Sequence, residues 1–166
     1  MVDVRDRPRY ERDFYAWTQD QAARLRALTG SNAIDSEHLA EEVEDLGRNA
    51  LNQVHTHLVQ LFAHLLVAAG SPSQDPQRHW RSEIRQHHLH AVTAFSPSMR
   101  QKLDLDRIWR QALALANDKL ADAGEAQLPG PLACPFTLDE ILNETLDLDA
   151  ARSRVADALE AVGRET

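Results

Sequence analysis

The chain has 166 residues, of which 43% are hydrophobic and 27% charged, and its formal net charge is −8. This length and composition are typical of one globular domain that can bury a hydrophobic core. The negative charge disfavours general nucleic-acid binding, because phosphate backbones are repelled by a field of the same sign. A single cysteine, Cys134, excludes an intrachain disulfide.

The composition along the chain disfavours a membrane protein. Residues 1–12 are too charged to contain the apolar core of a signal peptide. The most apolar stretch, residues 58–69, is interrupted by Gln60 and His64 and is far shorter than the roughly 20 residues that span a bilayer. We therefore expect a soluble, cytoplasmic protein that does not insert into a membrane.

Five or six helices are predicted from apolar residues that recur three or four positions apart. The first spans residues 11–28 and ends near Gly30, which suits a left-handed cap. The second begins after the N-cap Asp35 and continues to residue 70. Gly47 lies inside this second helix, where it permits either a kink or a close helix crossing. The apolar stripe of the second helix consists of Leu39, Val43, Leu46, Ala50, Val54, Leu58, Leu61, Leu65 and Ala68.

Proline and serine residues mark the next two helices. The third predicted helix begins near Pro76, a residue suited to a first helical turn. Ser96 then resembles an N-cap with Pro97 at the first helical position. The helix that follows ends at Gly124, and its opening turn, residues 99–106, is expected to be separate or irregular.

The C-terminal part predicts two further helices after a proline-rich loop. Thr137 begins a capping box for a short helix, and a last amphipathic helix spans residues 149–162. The pattern predicts an all-α protein, an antiparallel bundle of four main helices plus shorter C-terminal helices. We expect a flexible arm at residues 1–10, a bundle domain at 11–143, and a C-terminal segment at 144–166 that packs on the bundle or on a partner.

Several short blocks along the chain resemble a known family. They are DFYAW at 13–17, LAEEVEDLG at 39–47, HLL at 64–66, WR and IR at 80–81 and 84–85, SPS at 96–98, and CPF at 134–136. In this order they resemble the bacterial family called domain of unknown function 29 (DUF29), over residues 10–143. The resemblance implies a helical fold and a bacterial origin, and it implies no activity. Where the family is rich in arginine and glutamine this chain has His87, His88 and His90, so the resemblance implies no metal role for them.

Eight histidines make metal binding a specific possibility, because neutral imidazole is a common metal ligand. Glu83, His87 and His90 step by four and three along one side of the third helix, where they could hold a divalent cation. His57 and His64 share a flank of the second helix, but about 10 Å of helical rise separates them. An ion there would need ligands from another helix. In the alternative interpretation His87 packs in the core while Glu83 and His90 are solvated.

Charged residues at helical spacing predict a salt-bridge network between the second and third helices. Acidic residues share one side of the second helix near its N-terminus, where the helix dipole also favours them. Arginines share a face of the third helix at the same spacing. The members of the hypothesised network are Glu37, Glu41, Glu44, Arg78, Arg81 and Arg85.

The sequence favours a non-enzymatic protein-interaction module that self-associates through the helix at 149–162. Trp17, Trp80 and Trp109 are interpreted as core residues, and Cys134 has no sequence-local base that would make it a nucleophile. No cofactor is predicted. The alternative is a metal-binding bundle, with hydrolysis as one option, in which some of the four candidate histidines act with a carboxylate. Those histidines are His57, His64, His87 and His90.

Overall fold

A computed structural model of the chain describes residues 6–28, 34–72 and 77–165, without the side chains of 6–8, 77–79 and 165. Every regular element in these ranges is helical, so the predicted all-α class is confirmed. The elements are α1 (Asp6–Arg12), α2 (Phe14–Arg26), α3 (Ser36–Gly70), α4 (Gln77–Ala94), a 3-10 helix (Pro97–Lys102), α5 (Leu105–Asp122), α6 (Leu138–Ile141) and α7 (Leu148–Glu165).

Several predicted helix ends are confirmed by their local geometry. The backbone N–H of His38 donates to Asp35 Oδ1 at 3.3 Å, so Asp35 caps the first turn of α3. Thr137 forms the predicted capping box at α6. Gly124 has a φ of 71°, in the left-handed region that glycine adopts without strain. The predicted cap at Gly30 and the first-turn position of Pro76 lie outside the described residues.

The N-terminal region contains a helix that the apolar pattern did not predict. Residues 1–5 lie outside the described ranges, and α1 (Asp6–Arg12) covers the second half of the segment expected to be an arm. Asp13 separates α1 from α2 because its backbone is non-helical, with φ −148° and ψ 78°. Its carboxylate accepts from the backbone N–H of Ala16 at 3.0 Å, which caps α2. The predicted helix at 11–28 is therefore the end of α1 followed by α2.

The described chain forms two compact units. Unit 1 comprises Met1–Gln53 with Ala94–Lys102, and unit 2 comprises Val54–Thr93 with Leu103–Thr166. The long helix α3 contributes its first half to unit 1 and its second half to unit 2.

Unit 1 depends on a close crossing of α2 and α3. A Cβ atom at Gly47 would overlap Thr18 Oγ1 and would lie 3.2 Å from Thr18 Cβ. Thr18 is fully buried, and its hydroxyl donates to the carbonyl oxygen of Tyr15 at 2.8 Å. Of the two roles expected for Gly47, the structure therefore supports the close crossing.

Hydrogen bonds from the 3-10 helix fix the start of α2 within unit 1. Asp13 accepts from the backbone N–H of Ser98 at 3.0 Å and from its hydroxyl at 2.6 Å. The backbone N–H of Tyr15 lies 3.4 Å from the hydroxyl oxygen of Ser96, to which it donates. Two of the sequence blocks that resemble DUF29, residues 13–17 and 96–98, are therefore in direct contact.

Unit 2 contains most of the large buried side chains. Phe62 of α3 lies between two other aromatic rings, with centroids 5.2 Å from Trp109 and 5.7 Å from Phe136. The indole N–H of Trp109 donates to the carbonyl oxygen of Leu132 at 2.8 Å, which satisfies the one polar atom of this buried side chain. The other large and fully buried residues of the unit include Leu58, Leu61, Leu65, Leu66, Ile108, Leu120 and Ile141.

The last helix, α7, packs its apolar face within unit 2. Val155 is fully buried and Leu159 is 8% exposed. A Cβ at Gly70, the end of α3, would lie 3.7 Å from Leu159. With 18 residues, α7 is as long as α4 and α5. Within the described ranges, no helix combines the length and the apolar character needed to cross a membrane.

Candidate metal centre

A cluster of histidines lies where the second half of α3 meets α4 in unit 2. His57 and His64 are on α3, and Glu83 and His87 are on α4. His64 follows the fully buried Ala63 in the most apolar part of α3, and it is itself only 8% exposed. The helical spacing of four residues places Glu83 and His87 on one side of α4. The long apolar run of α3 therefore carries an imidazole to the inner face, where α4 presents a carboxylate and a second imidazole.

Three side chains of this cluster have the arrangement of metal ligands. His64, Glu83 and His87 each offer one ligand atom, and these three atoms all lie within 4.8 Å of one another. The donor atoms of a tetrahedral zinc site are about 3.3 Å apart, since zinc–ligand bonds are close to 2 Å. The three donors here, within 4.8 Å of one another, can be more widely spaced than that. His87 and Glu83 are already close, with Nε2 and Oε2 3.9 Å apart.

Two further histidines surround these residues. His57 Nδ1 lies 3.0 Å from His87 Nδ1, which is a hydrogen-bond distance. The ring of His64 is stacked on that of His87, with centroids 5.7 Å apart and an interplanar angle of 19°. His90 is exposed, and its ring centroid lies 4.8 Å from that of His57. The structure thus brings together the two sets of candidates that the sequence placed on separate helices.

The local electrostatics favour neutral imidazoles in this cluster. Burial lowers the pKa of His87 below its ordinary value, and the nearby His57 lowers it further, while Glu83 acts in the opposite direction. Burial also lowers the pKa of His57, with a smaller contribution from His90. Neutral imidazole is the form that binds metal ions, so this environment prepares the nitrogen lone pairs for a cation.

The donor set determines which ions the cluster suits. Two imidazole nitrogens and one carboxylate oxygen are the ligands of several zinc sites, and they also suit nickel, cobalt and copper. Calcium and magnesium prefer sites built from oxygen ligands alone. The cluster is therefore a candidate site for a divalent transition-metal ion, with a fourth position left for water.

The charged residues of the hypothesised network have other partners. In unit 1, Arg26 of α2 donates from Nε to Glu37 at 3.1 Å and from Nη2 to Glu44 at 3.0 Å. The third nitrogen of the Arg26 guanidinium, Nη1, also donates to Glu44. The hydrogen bonds from Arg26 lower the pKa of Glu44. Among the described residues, the cation that binds these two acidic residues is thus Arg26 of α2.

One arginine of the hypothesised network, Arg81 of α4, binds a carboxylate at the start of α7. In unit 2, Arg81 donates to both oxygens of Asp149 at the start of α7, with Nη1 3.0 Å from Oδ1. The side chain of Arg78 lies outside the described residues. Glu41 and Arg85 are exposed. The sequence pattern could not identify which neighbouring helix each charged face contacts.

Cys134 lies in the loop before α6 and is half-buried. Its Sγ lies 3.7 Å from the carbonyl oxygen of Phe136, to which the thiol donates. Burial raises the pKa of this thiol to about 11, so the thiolate is scarce near neutral pH. This environment agrees with the interpretation that Cys134 is not an activated nucleophile.

The fold and the cluster define an all-α protein with a histidine-rich site between two of its helices. The chain belongs to the family described as domain of unknown function DUF29, whose profile matches residues 9–146. It is also similar to a solved alpha-helical protein of unknown function from Rhodospirillum rubrum, with a TM-score of 0.81 and 32% sequence identity. That likeness covers 87% of this chain and 96% of the other. A comparison with curated proteins gives no match.

Proposed function

We propose that this protein binds one divalent transition-metal ion, with zinc as the best fit, through His64, Glu83 and His87. The observation that carries the proposal is the convergence of these three donor atoms within 4.8 Å of one another. They come from two helices whose relative position is held by an extensive hydrophobic core. A site on rigid helices holds its ligands more accurately than one on loops.

The burial of the three ligands supports a specific site over a chance surface cluster. His64 is buried, and the side chains of His87 and Glu83 are only 18% and 30% exposed. A carboxylate beside two partly buried imidazoles gives a cation a partner of opposite charge in a region of reduced dielectric constant. Hydrolysis would require, in addition, a substrate cleft at the fourth ligand position, so the proposed function is binding of the ion.

Metal analysis of protein purified without an affinity tag tests the proposal. After equilibration with zinc and removal of excess ion, we expect one equivalent of bound zinc per chain. Competition with a chelator of known affinity then measures the dissociation constant. His64→Ala and Glu83→Gln should each lose the bound ion, because two remaining ligands hold it too weakly. His38→Ala is the matched control, since His38 is an exposed histidine of α3 paired with Asp35 at 2.6 Å. Zinc binding that is absent in the wild type, or equal in all variants, would refute the proposal.

A second candidate function is self-association, but through α3 rather than α7. The apolar face of α7 is buried within unit 2, so it does not offer the surface expected from the sequence. Leu39 and Leu46 of α3 are instead 44% and 53% exposed, although they belong to the predicted apolar stripe. Among the residues that the structure describes, five of the six exposed large hydrophobic ones lie in unit 1: Tyr10, Leu28, Ile34, Leu39 and Leu46. Leu39 and Leu46 lie seven residues apart on one side of α3, as in helices that pack against another helix, and we infer a second copy as the partner.

Size-exclusion chromatography with light scattering tests self-association. We expect a dimer for the wild type and a monomer for the double variant Leu39→Gln, Leu46→Gln, because polar groups on the stripe lose the apolar contact. Leu89→Gln is the control, since Leu89 is 63% exposed on α4 and lies in the other unit. A wild type that stays monomeric across the micromolar range would discard this candidate.

A further inference from the structure

The two ring nitrogens of His87 have different neighbours. Nε2 lies 3.9 Å from Oε2 of Glu83, one of the proposed ligands. Nδ1 lies 3.0 Å from Nδ1 of His57. One ring of α4 thus contacts the candidate metal site through one nitrogen and an α3 histidine through the other.

The hydrogen bond between His57 and His87 restricts where the protons are. A neutral imidazole carries one proton on one of its two nitrogens, and a hydrogen bond between two nitrogens needs one donor and one acceptor. If His57 donates, His87 keeps its own proton on Nε2, and that nitrogen has no lone pair for a cation. If His87 donates from Nδ1, its Nε2 lone pair is free and faces Glu83.

We propose that His57 positions His87 for the metal ion by accepting the Nδ1 proton, and so selects the tautomer in which Nε2 binds. This inference rests on the proposed metal site and names a residue that acts on it without ligating the ion. Metal-bound histidines commonly donate their second N–H to a neighbouring acceptor, which fixes both the tautomer and the ring orientation. Here the acceptor is a second imidazole from the facing helix.

The ring geometry of the pair agrees with this role. The two ring planes of His57 and His87 are tilted by 38°, with centroids 5.3 Å apart, so the contact is made at the ring edges and not by stacking. His57 therefore contacts His87 through its Nδ1 atom. Loss of such an acceptor typically lowers metal affinity by 10- to 100-fold.

A matched pair of variants at residue 57 tests the inference in the full chain. His57→Asn keeps a hydrogen-bond acceptor near the position of Nδ1, whereas His57→Leu has nearly the same shape and no acceptor. With cobalt as the probe ion, we expect His57→Asn to bind within about threefold of the wild type. His57→Leu should bind at least 10-fold more weakly, by the typical loss of an outer-shell partner. Nitrogen NMR of the zinc-loaded wild type should show His87 protonated on Nδ1.

The outcomes separate this inference from the metal site itself. If the wild type binds no ion, the proposed function fails and the inference fails with it. If the wild type binds and both variants bind equally well, the site stands and the positioning role is overturned. Equal loss in both variants also overturns it, since that result would make His57 a direct ligand or a packing residue. Circular dichroism of both variants confirms that they are folded when affinity is measured.

Discussion

Saturating zinc is expected to raise the melting temperature of the wild-type protein by about 5–10 °C. An ion that binds only the folded chain stabilises it by RT ln(1 + [L]/Kd), which is about 2.7 kcal/mol at 100 times Kd. For a chain of this size, each kcal/mol corresponds to about 2–4 °C. Calorimetry with zinc and with a chelator measures the difference, and His64→Ala should show none.

The zinc effect should shrink as the pH falls. Burial holds the pKa of His87 below its ordinary value of 6.5, so the imidazole is neutral at pH 7.5 and becomes protonated only as the pH falls through the lowered value. A protonated imidazole cannot bind zinc, so protons then compete with the ion. A zinc-dependent shift of equal size at pH 7.5 and pH 5 would contradict ligation by His87.

The zinc-free protein should also lose stability in acid, and this must be measured separately. His57 and His87 have lower pKa values in the folded chain than in the unfolded chain, so the unfolded chain takes up protons first. Their contribution to stability is therefore complete above pH 6.5 and is lost as the pH falls below it. Each pH therefore needs a chelated reference, and the zinc effect is the difference between the two melting temperatures.

The three proposed ligands could be predicted from sequence only in part. Spacing placed Glu83 and His87 on one side of α4 correctly, because helical geometry is local. The third proposed ligand, His64, is on α3, and spacing alone cannot show which residues of two helices face each other. The pattern therefore grouped His90 with Glu83 and His87, whereas the structure places His90 at an exposed position beside His57.

The charge network shows the same limit at the protein surface. The acidic face of α3 was predicted, but its partner Arg26 lies on α2, a helix whose own pattern gave no sign of this contact. Arg81 binds the carboxylate of Asp149, which lies 68 residues further along the chain. Exposed ion pairs contribute little to stability, so the sequence carries only a weak signal for which of several acidic residues a given arginine contacts.

The apolar pattern of α3 predicted contacts better than the charged residues did, because the burial of apolar side chains contributes more free energy than exposed ion pairs do. The residues of α3 from Val54 to Leu65 in the predicted stripe are buried, as expected. In the first half of the same helix, Leu39 and Leu46 follow the same spacing of three and four residues but are exposed. Their neighbours Ala40 and Gly47 are buried. The close approach of α2 at Gly47 explains this, because only small residues fit at that crossing.

Phe62→Ala is expected to lower the free energy of unfolding by about 3–5 kcal/mol, the typical cost of removing a buried aromatic side chain. Phe62 is fully buried, and its ring lies against those of Trp109 and Phe136. The surrounding rings belong to α5 and to the loop before α6, so truncation leaves a cavity between elements that are fixed by other contacts. Chemical denaturation at pH 7.5 in the presence of chelator measures the loss.

Two further variants provide comparisons with Phe62→Ala: one removes a buried hydrogen-bond donor, and the other truncates an exposed side chain. Trp109→Phe keeps an aromatic ring but removes the indole N–H and part of the buried ring volume. It leaves the buried carbonyl oxygen of Leu132 without its donor, at a cost of about 1–3 kcal/mol in addition to that of the small cavity. Leu89→Ala should change stability by less than about 0.5 kcal/mol, because Leu89 is a 63% exposed side chain. If Phe62→Ala were as mild as Leu89→Ala, the aromatic cluster would not be part of the folded core. Phe62 and His64 lie within one turn of α3. Without the packing of Phe62, this part of α3 would lose the main contact that holds His64 beside α4.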